Sequence, residues 1–598
     1  MNLLLKRKNK ELTIIQAAFI FIWLTILSPL SVTDTYYSVY LLCGVVGLFC
    51  LWDNYSLGAG FTRAQGWALG TVSCLFSLAV ALANYSLFTP LSVLENLFDM
   101  ACCLVGGVCT AYPVLLWMLN RFPLAADPSP RQHPGRVFLL VFAVIAAVDL
   151  TYLFTTAYPG VLTLDSMASV REFSRDAYSN VNPFWFTVTV GFFYRIGFLL
   201  FGEPNAAMAF YVFWQILFLA ACAAYAVVTL YQAGVPRPVL VAAFVVYAFL
   251  PYQIVYSVTV WKDVLFGAAA LLIVTSLYRI LRGVGRSSAL NYGISLLGML
   301  GFCLWRTNGW YAFLATTVVL FFCLRKRCKK LVGLMGAVVV ICWVMINPLL
   351  SWLNVSGTDF VEAFSIPLQQ IARVVYEGHS ITVEEEELLS EALDLDAVRT
   401  DYIPHLADPI KWGAFRRDNR EFVEENFGQY VRLWLKLGMR YPSVYLKAWI
   451  EQTRGYWNAG YQFWVYTEGV VENEFGIAHT SELQTAADGF RTYFAALERN
   501  MFFQPFYSIG LYVWMLIGCF FLNMLKKRIT EAALTIPILV LIVGLWLGTP
   551  VYAEFRYAYP MFLAMPVLLA VTCYRREEET NDLERREKCD EAQAAKEP

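Results

Sequence analysis

Charge is what this chain has least of. Only 15% of its 598 residues are Asp, Glu, Lys or Arg, against about a quarter in a typical soluble domain. With 58% hydrophobic residues and a mean hydropathy of +0.53, the balance excludes an ordinary soluble protein and implies a polytopic membrane protein. Acidic and basic residues nearly cancel, leaving a net charge of −1, so no global positive field points to nucleic acid. Histidine is scarce as well: His133, His379, His405 and His479 show no ligand spacing. The 14 cysteines lie in or beside apolar runs or in the tail, and none falls in 158–204 or 351–505. That excludes a disulfide framework, and CxxC metal spacing is absent. The first apolar run follows Lys6-Arg7-Lys8 but has no small-residue cleavage site after it, so it reads as a first span rather than a signal peptide. There is no internal repeat and no low-complexity tract.

What the chain does have is apolar runs. A helix needs about 20 apolar residues to cross the hydrocarbon. The runs 12–30, 37–52, 66–88, 99–119, 137–157, 206–231, 238–258, 262–281, 288–305, 308–324, 331–349, 506–525, 531–548 and 557–574 predict an all-α fold of about 14 transmembrane helices. Lys and Arg in short loops set the orientation. Lys6, Arg7, Lys8 and Lys10 place the N-terminus inside, as do Arg121, Arg131 and Arg136 for the loop after the fourth span. Working back from Arg325-Lys326-Arg327 and Lys329-Lys330, through Arg279, Arg282 and Arg286 to Arg237, both ends of the apolar run 184–202 fall outside. That run, broken by Gly191 and Gly197 and carrying Arg195, therefore predicts an interfacial or re-entrant helix rather than a span. Lys526-Lys527-Arg528 and Arg575-Arg576 place the C-terminus inside too. The expected location is the cell membrane, multi-pass, with both termini cytoplasmic and a charged tail, 575–598.

Residues 350–505 hold the one long hydrophilic block, expected as an extracytoplasmic domain. Thr382 and Glu385 are spaced to cap a helix, and further helices are expected at about 418–440 and 443–457. The remaining organisation reads as a four-span N-terminal extension (1–136), a membrane core (137–349) with a first outer loop at 158–204, and C-terminal spans (506–574).

On this topology the unusual polar residues gather at the outer face. They are Asp165 after the fifth span, Lys262-Asp263 at a span start, Arg306 in the hairpin Trp305–Trp310, and Glu554 with Arg556 before the last span. Cations suit a phosphate, with Arg able to bind two oxygens at once. A carboxylate can take a proton from an acceptor hydroxyl. Each residue also has a structural role open to it. Lys262 can anchor a helix end, Asp165 can cap a helix at 166–175, and Glu554 can pair with Arg556. Asp149 lies inside the fifth span, where a carboxylate costs roughly 2.5–3.5 kcal/mol. Tyr456, Trp457, Tyr461, Phe463, Trp464 and Tyr466 could stack on sugar rings or form a core or interfacial anchor.

The stretch Tyr158-Pro159-Gly160, Leu164-Asp165-Ser166, Asn182-Pro183-Phe184-Trp185 and Phe201-Gly202 resembles the first outer loop of GT-C glycosyltransferases, such as protein mannosyltransferases. More narrowly, Pro-Gly-x-x-x-x-Asp-Ser, Trp261-Lys262-Asp263, Ile366–Arg373 and Glu554-x-Arg556-Tyr557 resemble a bacterial membrane-protein family without assigned function, thought to be GT-C-like. The resemblance spans about 137–574 and leaves out the first four spans. It implies transfer of a sugar from a polyprenyl-phosphate donor to an envelope glycan, lipid or protein, with inversion. Asp165 would be the catalytic base, and Lys262, Asp263, Arg306, Glu554 and Arg556 would bind substrate. Two departures stand out. Asp165-Ser166 replaces the Asp-Glu of many GT-C enzymes, which weakens the case for a divalent metal, and Asn182-Pro183 replaces a common His-Pro. A flippase for lipid-linked saccharide and a non-catalytic envelope scaffold are the competing expectations.

Overall fold

A computed structural model describes residues 5–6, 9–32, 37–88, 92–127, 131–180, 182–285, 288–357, 360–460, 469–480 and 483–575. The chain is helical almost throughout. Before the polar loop come α1 (Lys10–Leu27), α2 (Tyr37–Leu57), α3 (Arg63–Ala83), α4 (Val93–Arg121) and α5 (Pro134–Thr155). The loop carries α6 (Leu164–Arg175) and α7 (Phe184–Phe201). Next are α8 (Pro204–Gln232), α9 (Arg237–Phe249), α10 (Pro251–Val258), α11 (Lys262–Arg282), α12 (Ser288–Leu304), α13 (Gly309–Leu324), α14 (Lys329–Ile346) and α15 (Pro348–Trp352).

A lobe follows with α16 (Ser365–Tyr376), α17 (Val383–Ala392), α18 (Leu395–Asp401), α19 (Arg420–Glu425), α20 (Phe427–Arg440) and α21 (Pro442–Thr453). The chain ends with α22 (Gln484–Arg499), α23 (Ile509–Leu525), α24 (Ile529–Gly548) and α25 (Phe555–Cys573).

Among the described residues, eleven helices are long and apolar enough to cross a membrane, or twelve if α9 and α10, bent by 46°, count as one span. The molecule is an all-α polytopic membrane protein. The tally differs from the expected fourteen for identifiable reasons. The helices α12, α13 and α23 are apolar but have only 16 or 17 residues, and α7 meets the length and hydropathy of a span. The 238–258 run is interrupted at Leu250, which the following Pro251 sets in an extended conformation (φ −68°, ψ 132°); Tyr493 donates its hydroxyl to the Phe249 carbonyl at the break (2.7 Å).

At the centre lies α11. It is buried almost all round, as a helix without a polar stripe should be, and packs against α8, α12, α24 and α25. Its approach to α12 depends on Gly298, where an added Cβ would lie 3.1 Å from the Ala269 carbonyl oxygen; small residues admit close packing of membrane helices.

The lobe has its own apolar core, including Leu389, Val398, Ile410 and Leu437. Thr382 and Glu385 form the expected capping box. Two helix expectations change. The 418–440 helix is divided at Asn426 into α19 and α20. The 443–457 helix ends at Thr453, before a short 3-10 turn.

One face of the bundle collects helix ends. Ser356, beyond α15, bonds to Tyr178 and Asn180 beyond α6. The C-terminal end of α12 meets the N-terminal ends of α11 and α25 through Arg306, Asp263 and Tyr557. The two ends of α7 are held by different segments, and between them the helix packs along α8. Trp185 donates to the Met345 carbonyl near the end of α14 (3.2 Å). Asn205, just beyond α7, bonds to Ala478 and Thr480, and Thr480 in turn bonds to Tyr158 after α5. Arg286, Arg576 and most of the predicted tail lie outside the described residues.

Candidate functional site

The loop after α5 is laid down as extended backbone. Gly160 takes a positive φ of 137°, which glycine adopts without strain, and an added Cβ there would lie 2.7 Å from Val212. Val161 then pairs with the segment before α11: its N–H donates to Val258 O (2.9 Å) and its carbonyl accepts from Val260 N (3.0 Å). On the other side Leu162 pairs with Gly469 and Val471. Side chains lock the register. Ser166 donates to Val260 O (2.7 Å) and accepts from Thr163 N (3.0 Å), while Trp261 donates to Thr163 Oγ1 (2.8 Å).

Thr163, not Asp165, is therefore the N-cap of α6. Asp165 sits in the first turn, and its carboxylate is left to act elsewhere. Its Oδ2 accepts from Arg556 Nη1 at 2.9 Å. Arg556 Nε lies 3.7 Å from Glu554 Oε1, and the guanidinium rests 5.1 Å from the Trp261 ring centre and 5.2 Å from that of Tyr557. Arg306 donates to Asp263 Oδ1 and lies over the other ring contacts of the group, Tyr557 (4.6 Å) and Phe266 (5.6 Å). Lys262 Nζ donates to Asn182 Oδ1 (3.2 Å). The six residues singled out from the sequence thus form one cluster of three carboxylates and three cations.

Exposure grades them. The side chain of Asp165 is 46% exposed, Arg556 and Glu554 about 20%, Arg306 10% and Asp263 1%. Asp165 and Arg556 form the most exposed ion pair of the cluster. Asp263 and Arg306 form a sunken pair behind them, with Asp263 Oδ2 buried and without a hydrogen bond. Burial pushes the Asp165 carboxyl up, but Lys262 and Arg556 outweigh it and hold the group below the usual carboxylate range. At Glu554 burial wins: despite Arg556, its carboxyl is raised. Opposite shifts on neighbouring carboxyls are the pattern that divides acid from base roles.

Three contributors stand outside the candidate site residues chosen from the sequence. Glu172 lies two turns after Asp165 on α6; it is raised by burial, with Ser179 and Lys262 acting against that. Heptad spacing from Asp165 was the available signal. Asn182 was noted only as a departure from His-Pro, yet it holds Lys262. Tyr557 separates the two arginines, and only its place beside Arg556 marked it.

Other expectations separate from the cluster. Asp149 is buried in α5 beside Ser257 and Tyr559, with Oδ1 unbonded. Tyr456 and Trp457 are core residues rather than a stacking platform. The Tyr456 hydroxyl accepts from Glu554 N (3.0 Å) and Thr549 Oγ1 (3.1 Å), which fixes the loop before α25, and Trp457 stacks on Trp449. Tyr461, Phe463, Trp464 and Tyr466 lie outside the described residues. The lobe clamps the same loop from above, through Ala407 N to Pro550 O (2.8 Å) and Tyr552 N to His405 O (3.0 Å).

A divalent ion does not fit this donor set. Each carboxylate of the cluster faces an arginine, and among the described residues no three His, Cys, Asp or Glu side chains gather as a ligand group.

No curated protein and no solved structure matches the chain. Residues 173–587 match a family of unknown function (DUF6020), a stretch that contains Lys262, Asp263, Arg306, Glu554 and Arg556 but begins after Asp165. The match covers more than half of the chain, which belongs to that family of unknown function.

Proposed function

We propose that the protein is a GT-C-type membrane glycosyltransferase. It would move a sugar from a polyprenyl-phosphate donor to an envelope glycan, lipid or protein acceptor at the outer face of the cell membrane. The observation that carries this reading is the contact of the half-exposed Asp165 carboxylate with Arg556, beside Lys262, where chain segments almost 400 residues apart meet. A structural pair such as Arg282–Glu531 keeps its carboxylate 1% exposed, whereas here the carboxylate stays open to a ligand.

In this reading Asp165, ionised at neutral pH, takes the proton of an acceptor hydroxyl. The acceptor oxygen forms its bond to the anomeric carbon, and the carbon–oxygen bond to the phosphate breaks with inversion. The electron pair leaves on the polyprenyl phosphate, whose charge Arg556 and Lys262 offset. Arg306 and Asp263 brace the cations from behind, and Glu554 orients Arg556. The helix α7 lies along the outer leaflet, a placement supported by the charges of the neighbouring loops. Both termini are then cytoplasmic, and the lobe covers the site and selects the acceptor.

The broken α9–α10 pair and the buried Asp149 favour a second reading, a flippase of lipid-linked saccharide, since interrupted helices and intramembrane charges mark transporter sites.

The deciding experiment follows label from a polyprenyl-phosphate sugar in liposomes. Asp165→Asn should lower transfer about 10²- to 10⁴-fold, the range a positioned acid or base supplies. Full transfer by Asp165→Asn removes the base assignment, and translocation without glycosidic bond formation selects the flippase.

A further inference from the structure

The lobe contains a cavity of about 190 Å³ that the proposed chemistry does not use. It is larger than the roughly 150 Å³ engineered cavity that stays dry and takes up benzene. Its wall is hydrocarbon throughout. The two polar atoms on the side chains around it are already committed: Tyr430 donates its hydroxyl to Leu388 O (3.1 Å), and Trp434 Nε1 donates to Gln370 Oε1 (2.8 Å).

At the mouth stands an aromatic trio, Phe360, Phe364 and Phe427, with ring centres 4.8–5.6 Å apart. Phe427, the most exposed of the three, opens to the surroundings. A peptide or a sugar entering here would strip water from groups that find no partner. Hydrocarbon loses nothing.

The cavity also lies near the bilayer. One of its walls, α16, packs against the membrane helix α24. Phe360 follows Trp352 at the end of α15 by eight residues, a reach of at most about 29 Å, and Trp352 and Leu353 carry exposed apolar surface up to that point.

We propose that this cavity receives one acyl chain of a bilayer lipid from the leaflet beside the lobe. The chain enters past Phe427 and lies against Leu389, and its headgroup stays outside. The inference goes beyond the catalytic reading and does not rest on it.

The test uses the full chain in phosphatidylcholine vesicles containing a small fraction of phosphatidylcholine with a diazirine on one acyl chain. Adducts are mapped by mass spectrometry after illumination. Adducts are expected within 360–371 and 423–434, alongside those on the exposed apolar face of α7 (Phe192, Leu199), which serve as the internal standard. Ala392→Trp, which fills the cavity, should lower the lobe adducts about tenfold or more relative to that standard, equivalent to a loss of about 1.4 kcal/mol. Phe427→Glu places a charge at the mouth without touching the inner wall and should do the same; it decides alone if Ala392→Trp does not fold. No lobe adducts in the wild type, as when a protein segment fills the cavity, or undiminished adducts in the folded variants, overturn the proposal.

Discussion

The two ends of α11 are built from the same materials and do different things. Each carries charge of the sign that suits the helix dipole, Asp263 in the first turn and Arg279 and Arg282 in the last. At the far end the cations are spent on protein oxygens. Arg279 donates to Thr229, Gln232 and Asn291 at 2.8–2.9 Å. Arg282 Nε donates to Glu531 (2.8 Å). Arg528 closes on the carbonyls of Val571, Thr572 and Tyr574.

At the site end Arg306 and Arg556 lean on aromatic faces, as Arg279 also does on Tyr225. Lys262 has one amide oxygen as its hydrogen-bond partner among the described residues, and Arg556 Nε has none. Completeness of hydrogen bonding does not by itself separate the two ends, since Glu531 also keeps one unbonded oxygen. Nor do the cations separate them, since Arg528 Nε is unbonded as Arg556 Nε is. The separation lies in the carboxylates, with Glu531 1% exposed in a closed bundle and Asp165 46% exposed, open to a ligand.

The largest effects should come from breaking a buried pair at either end. Removing one partner of such a pair costs about 3–5 kcal/mol, because the other charge stays buried. Arg282→Ala leaves Glu531, 1% exposed, with Arg528 at 3.6 Å as its remaining counter-charge. Its loss should fall near the lower bound, read as a lower thermal midpoint in detergent, with sugar transfer per folded molecule intact. Arg306→Ala removes the hydrogen-bonded partner of Asp263, leaving Lys262 and Arg556 as its nearby cations, and should lose both stability and transfer. Equal loss of transfer in the two variants would erase the distinction between the ends.

A smaller effect belongs to Lys262→Met. A hydrogen bond to a charged group contributes about 1.5–3 kcal/mol, so affinity for the polyprenyl-phosphate sugar should weaken by roughly 10- to 150-fold, with little change in melting. Tyr557→Leu comes next. It removes the ring shared by Arg306 and Arg556, worth about 0.5–2 kcal/mol, and should raise the KM of transfer more than it lowers kcat. A melting loss without any KM change would make Tyr557 packing only.

Much of this was legible in the sequence because membrane constraints are strong. Apolar runs located the helices, and loop charges placed Asp165, Lys262, Arg306 and Arg556 on one face before any coordinates. Ends and breaks were less legible. Pro251 marks a break at Leu250, but the donor that takes up the Phe249 carbonyl there, Tyr493, lies 244 positions away. Whether Asp165 caps the next helix stayed open in the sequence because Thr163 competes for that place, and Thr163 is held through Ser166, itself fixed by the distant Val260 carbonyl. Burial order within the cluster was invisible too. Nothing local tells Arg306, committed to Asp263, from Arg556, which faces out. Glu172 is missed for the same reason, since what brings it into play is Lys262 from another helix.

The smallest effect is a shift in pH dependence, and it decides which carboxylate is the base. Asp165 has a folded pKa below its ordinary value, near 3.9 in model peptides. Its contribution to stability is therefore present above that value and lost as pH falls through the folded pKa. With the side chain nearly half exposed, solvent screening keeps this contribution small. With Asp165 as the base of the proposed sugar transfer, the acid limb of the rate–pH profile should lie below the ordinary carboxylate range. Lys262→Met removes the leading charge that opposes burial, so the limb should move to higher pH. If Glu554 were the base, the limb would lie above the ordinary glutamate range, because burial raises that group, and its charge surroundings are Arg556, Asp263 and Arg306 rather than Lys262. A limb that starts low and climbs in Lys262→Met assigns the proton to Asp165; a high limb that ignores the substitution assigns it to Glu554.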